Sequence, residues 1–129
     1  MVVDSSAVLA VLFKEPEHDA FAAALAAAST RLMSSFNVLE AAVVVFSRKR
    51  PPGAREFDLF LHRGEVEVVP FTSDHLRLAR EAYERYGKGR HPAGLNLGDC
   101  CAYALARHTG EPLLFKGPDF RRTDIVPAV

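Results

Sequence analysis

Met1-Val2-Val3-Asp4-Ser5-Ser6-Ala7 opens the chain, and its reading decides the fold. Val2-Val3-Asp4 has the brevity and apolar character of a buried strand. Ser5 or Ser6 then offers an N-cap for a short helix, Ala7 to Phe13. A strand that runs straight into a helix is the first half of a βαβ unit. Pro16 breaks the helix, and Glu17 to Ala28 reads as a second, alanine-rich helix of high propensity. Arg31-Leu32-Met33-Ser34 is a brief strand. Ser34 or Ser35 caps a long helix to about Lys49, ended by Pro51-Pro52-Gly53. Val43-Val44-Val45 within it is β-prone, so that reading rests on length and on the lack of an internal breaker.

Farther along, Ala54 to His62 is helical with Arg63-Gly64 as its stop, and Val66-Glu67-Val68-Val69 is a strand. Ser73 caps a helix from Asp74 to about Tyr86. Gly87 to Gly94 is a polar loop, Asn96 caps a helix through His108, and Gly110 stops it. Leu113-Leu114-Phe115 is the next strand, and a last short one is expected at Asp124-Ile125-Val126. Short apolar strands alternating with helices imply an α/β layered fold around a mostly parallel sheet. The 129 residues read as a single domain, 1–129, able to bury a core without staples.

Four acids stand where a carboxylate needs a reason to be. Asp4 closes the first strand. Glu40 is the only charge between Val38 and Phe46. Asp99 opens the apolar helix Cys100-Cys101-Ala102-Tyr103-Ala104-Leu105-Ala106. Asp119 follows Leu113-Leu114-Phe115 across a Lys-Gly-Pro turn. A carboxylate beside core sequence costs several kcal/mol unless paired, hydrogen-bonded or bound to metal. In open parallel sheets the functional crevice lies beyond the carboxyl ends of the strands. Asp4, Asp99 and Asp119 fall on that edge from topology alone. Converging carboxylates suit a hard divalent cation.

Each acid has a plainer reading when taken singly. A strand-end aspartate can cap the next helix, although Ser5 and Ser6 are available for that task. Asp99 lies three residues after Asn96, where it can close a capping box. Asp119 in Lys-Gly-Pro-Asp-Phe reads as a turn residue. Glu40 shares a stripe with Asn37, Val43 or Val44, and Ser47, and would need a narrow polar face to look outward. The conjunction carries the argument.

Net charge is zero, with 16 basic and 16 acidic residues, which argues against a uniformly basic nucleic-acid coat. Lys116, Arg121 and Arg122 flank Asp119 and would rim an acidic site. Zinc is disfavoured, because the five histidines are scattered and no Cys-x-x-Cys occurs. The adjacent Cys100 and Cys101 point apart on a helix, so no disulfide is expected, which fits a reducing cytosol. Both read as helix packing residues, with a Cys100 thiol activated by the helix N-terminus as the alternative. No secretory leader is visible, and no apolar run reaches membrane-spanning length.

The ordered set of motifs resembles a known family. Val3-Asp4-Ser5-Ser6-Ala7, Asn37-Val38-Leu39-Glu40-Ala41, Leu95-Asn96-Leu97-Gly98-Asp99-Cys100 and Leu114-Phe115-Lys116-Gly117-Pro118-Asp119-Phe120 are similar to those of PIN-domain ribonucleases. Within that family they resemble the VapC toxins of type II toxin–antitoxin systems. Arg122 to Ala128 resembles the end of one VapC subgroup. The resemblance implies a PIN-like α/β/α sandwich with a short, mostly parallel central sheet. It implies Asp4, Glu40 and Asp99 as core metal-binding acids and Asp119 as the fourth, with Mg2+ or Mn2+ as the ion. Many relatives carry a second acid where this chain has Pro118. Ser6 matches a hydroxyl residue that orients the first aspartate, and Asn96 belongs to the same motif as Asp99. The implied activity is RNA hydrolysis leaving a 5′-phosphate and a 3′-hydroxyl. The implied partners are a VapB-type antitoxin, which presents a basic residue to the acidic site, and a second copy of the chain.

The helices of residues 7–28 are rich in apolar side chains: Val8, Leu9, Val11, Leu12, Phe13, Phe21 and Leu25 cannot all face one way at helical spacing. An antitoxin groove is therefore expected there. The competing functions are a non-catalytic interaction module and a receiver-like phosphorelay domain. The receiver-like reading suffers because Val66–Val69 ends in Pro70-Phe71-Thr72, with no phosphoacceptor acid.

Overall fold

The computed structural model describes residues 1–129. Its elements are β1 (Val2–Val3), α1 (Ser5–Leu12), α2 (His18–Ala27), β2 (Arg31–Ser34), α3 (Ser35–Arg63), β3 (Val66–Val69), α4 (Ser73–Tyr86), α5 (Leu97–Thr109) and β4 (Leu113–Leu114). A 3-10 turn, Phe120–Arg122, follows. The four strands form one parallel sheet in the order β3-β2-β1-β4.

Strand alternation divides the core. Successive residues point to opposite faces, so Val2 and Leu113 join the side covered by α4 and α5, with Leu95, Tyr103, Leu105 and Phe120. Val3 and Leu114 join the other side with Val8, Phe21, Met33, Val45 and Phe57, from α1, α2, β2 and α3. The result is the expected α/β/α sandwich. Because both faces of β1 and β4 are covered, these strands read as purely apolar. The edge strand β3 exposes Glu67 and Val68.

Several sequence expectations shift. The helix expected at Ala7 starts at Ser5, because Asp4 rather than either serine is its N-cap: the carboxylate accepts the Ser6 N–H. An aspartate outcompetes a serine there because its charge also favours the helix N-terminus. Thr72 rather than Ser73 caps α4, accepting the His75 N–H. The long helix does break where Pro51-Pro52 was expected to end it, but it resumes at once. Arg50 alone leaves helical geometry (φ 56°, ψ −153°), and Pro51 starts the next turn, where no N–H is needed. The two arms of α3 close so tightly that a Cβ on Gly53 would lie 3.0 Å from Val45 Cγ1. The final strand at Asp124–Val126 reduces to an isolated bridge between Leu113 and Pro127.

Candidate active site

The parallel strands all end on one edge of the sheet, and the acids gather there. Asp4 leaves the end of β1 and is 2 % exposed. Its Oδ2 accepts from the backbone N–H and the hydroxyl of Ser6. The Ser6 hydroxyl also accepts the Lys116 N–H at 3.0 Å, fastening the segment after β4 to the first acid. Asp4 Oδ1 is buried with no partner at all.

Asp99 is the third residue of α5. Its Oδ2 accepts the Asn96 N–H at 3.0 Å while Asn96 Oδ1 accepts the Asp99 N–H at 2.9 Å, a complete capping box. The capping role and the site role are therefore compatible: one oxygen caps, and Oδ1 stays without a protein partner. Asn96 acts on the site through this box.

Glu40, half-buried on α3, points toward the first turn of α5. Its Oε1 accepts the Ser5 hydroxyl at 2.5 Å and, weakly, Asn37 Nδ2 at 3.4 Å. Asn37 is fully buried and also donates to the Gly98 carbonyl at 3.0 Å, linking α3 to α5. Glu40 Oε2 lies against the Cα hydrogens of Gly98. Thus each of the three acids holds one oxygen in a protein hydrogen bond and leaves the other free.

The acids also act on one another electrostatically. Burial pushes Asp4 up to about 7, with repulsion from Asp99 and Glu40 adding to it against the lowering hydrogen bonds of Ser6. Burial pushes Asp99 up to about 6, with repulsion from Asp119 and Glu40 contributing. Asp119 sits at the head of the 3-10 turn, half-exposed, and its side chain caps nothing. It is thus a turn residue, as its plainer reading had it, and it reaches the cluster through its charge on Asp99.

Hard oxygen donors, an orphaned buried oxygen on Asp4 and mutual repulsion among the acids fit a divalent cation. No three ligating side chains close into a ready cage.

Other sequence expectations are corrected here. Lys116, Arg121 and Arg122, expected to rim the site, direct their side chains to partners other than its four acids. The Lys116 ammonium turns to Glu15 and Glu17, at 2.9 and 3.5 Å, which holds its pKa up. Arg121 donates to the Val129 carbonyl and Arg122 to the Pro92 carbonyl. Cys100 is not a reactive thiol: burial and the neighbouring Asp99 push it up to about 11, and Cys101 to about 12. Helix packing overrides any lowering by the N-terminus. The apolar surplus expected on residues 7–28 is absorbed: Val8, Leu12, Phe21 and Leu25 are buried, while Leu9, Val11 and Phe13 pack half-buried on the same core. A groove of about 370 Å³ remains between α1, α2 and the end of α3, lined by Val11, Ala22, Leu25, Ala26, Phe60 and Arg63 among others. Exposed apolar side chains lie elsewhere, notably Leu39, Val43, Phe46, Leu76, Tyr83 and Leu97.

Ser5, Asn37 and Gly98 were missed as site residues. The signals were present: a second serine after Asp4, an amide one turn before Glu40, and a glycine inside a helix's first turn.

A family model described as PIN domain matches residues 1–126. The chain belongs to the PIN-domain family. Among its relatives, Ribonuclease VapC30 of Mycobacterium tuberculosis is 53 % identical over 125 residues, covering 97 % of this chain and 95 % of that protein. Ribonuclease VapC of Mycolicibacterium smegmatis is 52 % identical, covering 97 % of each. These matches make it a PIN-domain protein of the VapC ribonuclease family, as the motifs implied, and displace the receiver-like reading. The crystal structure of Mycobacterium tuberculosis VapC20, described as a Sarcin-Ricin loop cleaving toxin, superposes with a TM-score of 0.79 over 97 % of this PIN chain and 95 % of that one. At 19 % identity this shows the fold alone. No helix of the PIN fold here is long and apolar enough to cross a membrane.

Proposed function

We propose that this chain is a Mg2+- or Mn2+-dependent endoribonuclease acting as the toxin of a type II toxin–antitoxin pair. The observation that carries the reading is the division of labour within each core acid. Asp4, Glu40 and Asp99 each commit one oxygen to the protein and keep the other available. A purely structural carboxylate would be expected to use both.

A divalent cation, when bound, polarises a phosphodiester, lowers the pKa of a water and stabilises the leaving oxygen. The chain's own residues prepare for it. Asp4 Oδ1, Glu40 Oε2 and Asp99 Oδ1 are the donors that would hold the ion, with Asp119 contributing from the open side. Ser6 fixes Asp4, the capping box fixes Asp99, and Ser5 fixes Glu40. Burial of Asp4 keeps water from dispersing its charge. This chemistry requires no histidine as acid or base. The products would carry a 5′-phosphate and a 3′-hydroxyl.

The antitoxin is proposed to lay an amphipathic segment in the groove between α1, α2 and the end of α3. A homodimer is proposed through a different face. Leu39, Val43 and Phe46 recur at i, i+4 and i+7 on the outside of α3. They neighbour a recess of about 420 Å³ that Phe36, Phe71, Leu76, Tyr83 and Leu97 help to line. Contiguous exposed apolar surface of this kind marks an association site.

Incubating the purified chain with mixed RNA, with Mg2+ or with EDTA, tests the activity. Cleavage restored by metal and leaving 5′-phosphate ends is the expected result. Cleavage that is unchanged in EDTA overturns the metal-dependent reading, and a folded chain inert under every metal favours a non-catalytic module. Hydrogen exchange with the cognate antitoxin tests the groove: protection should cover residues 7–28 and the end of α3.

A further inference from the structure

We infer that Gly98, together with Ser5 and Asn37, is a positioning device for the Glu40 carboxylate, and that the missing side chain at 98 is what gives that carboxylate its place. Gly98 is the second residue of α5, a poor site for glycine on helix propensity. Its φ is not in the left-handed region, so no backbone demand requires glycine there. What requires it is space. A Cβ at 98 would fall within the Glu40 carboxylate, 2.7 Å from both Oε1 and Cδ and closer still to Oε2. The three nearest atoms all belong to the Glu40 carboxylate, the far end of a flexible side chain. The fold can therefore accept a side chain at 98, whereas Glu40 cannot keep its position.

The other two members close the bracket. The Ser5 hydroxyl pulls Oε1 toward the β1–α1 junction at 2.5 Å. Asn37, on the same face of α3 one turn earlier, donates to the Gly98 carbonyl at 3.0 Å and so holds the first turn of α5 under the carboxylate. Oε1 is thus tethered to Ser5 and Oε2 is seated over Gly98. Asp4 and Asp99 both register the charge of Glu40. The inference rests on the ribonuclease reading for its consequence, not for its geometry.

The test is Gly98→Ala, alone and combined with Glu40→Asp. The alanine suits the helix, so thermal unfolding should show a fold at least as stable as the parent's. Glu40 should swing off Ser5, Mn2+ should bind about tenfold or more weakly, and kcat should fall about a hundredfold with KM for RNA little changed. Shortening the acid withdraws its carboxylate from the new methyl group, so Gly98→Ala with Glu40→Asp should recover part of the Mn2+ affinity and rate lost by Gly98→Ala alone. A purely structural role for Gly98 predicts no such rescue. Parental activity in Gly98→Ala, or a double variant no better than it, overturns the inference. A crystal structure of Gly98→Ala reads the displacement without any assay. Glu40 still bonded to Ser5 overturns the inference even if the parent cleaves no RNA, whereas a displaced Glu40 in an inert parent upholds the inference while defeating the function.

Discussion

Asp4 and Asp119 carry the same carboxyl group at the same edge of the sheet, yet their surroundings have little in common. Asp4 emerges from a strand covered on both faces, is buried, and is anchored through one oxygen while the other has no partner. Asp119 sits in a half-exposed turn with no hydrogen bond to hold its side chain. Burial, more than charge, separates the two. A buried acid stores electrostatic free energy that a cation can release, whereas an exposed acid is already satisfied by water.

The sharpest way to break the comparison is to neutralise the buried end. Asp4→Asn should abolish cleavage, by about a thousandfold or more, since a metal's contribution is worth several kcal/mol and each 1.36 kcal/mol is tenfold. Asparagine still caps a helix, so circular dichroism should show the fold intact. Glu40→Gln and Asp99→Asn are expected to behave alike. A folded, fully active Asp99→Asn protein would remove that residue from the site and leave it only the capping box.

A pH titration comes next in size. Asp4 is raised to about 7 and Asp99 to about 6 from an ordinary 3.8. Both are raised, so the folded state binds more protons than the unfolded chain between those values, and stability falls as pH rises through that window. Metal-free protein should melt several degrees higher at pH 5 than at pH 8. Asp4→Asn should flatten that slope, and saturating Mg2+ should restore stability at the alkaline end. A melting temperature that rises with pH in the metal-free protein would contradict the burial argument. Metal affinity should climb over the same window as the two acids ionise.

Asp119→Asn should be milder: a several-fold loss of Mn2+ affinity and rate, read by calorimetry and initial velocities. No change would make it a bystander, and a loss as large as that of Asp4→Asn would show that exposure does not rank these acids. The smallest expected effect on chemistry belongs to Leu97→Asp, on the exposed apolar face. It should convert the proposed dimer to a monomer in light scattering while single-turnover cleavage stays near the parent's rate.

Much of this was legible in order along the chain. Short apolar runs alternating with helices fixed the layered parallel sheet, because strands buried on both faces tolerate no polar residue. Val66–Val69 was bounded correctly, as was Asn96 as a cap. Boundaries went astray where two polar residues competed for one role, as Asp4 did with Ser5 and Ser6, and Thr72 with Ser73. Cap choice depends on backbone angles that residue type does not fix. The side-chain partners of the basic residues were not legible for a similar reason. Lys116 lies next to the site in sequence, but its long side chain found Glu15 and Glu17 instead.

The sequence by itself determined which carboxylates needed an explanation, because an acid set in apolar sequence is costly wherever the chain puts it. It also determined the edge of the sheet where most of them meet, since parallel strands end together. Only the tertiary structure decided how each acid divides its two oxygens, and which neighbours hold them. Ser5 and Glu40 are 35 residues apart, and Asn37 and Gly98 are 61 apart. Contacts over such separations depend on how α1, α3 and α5 pack on the sheet, to within a fraction of an ångström. No local pattern of residue types carries that distance.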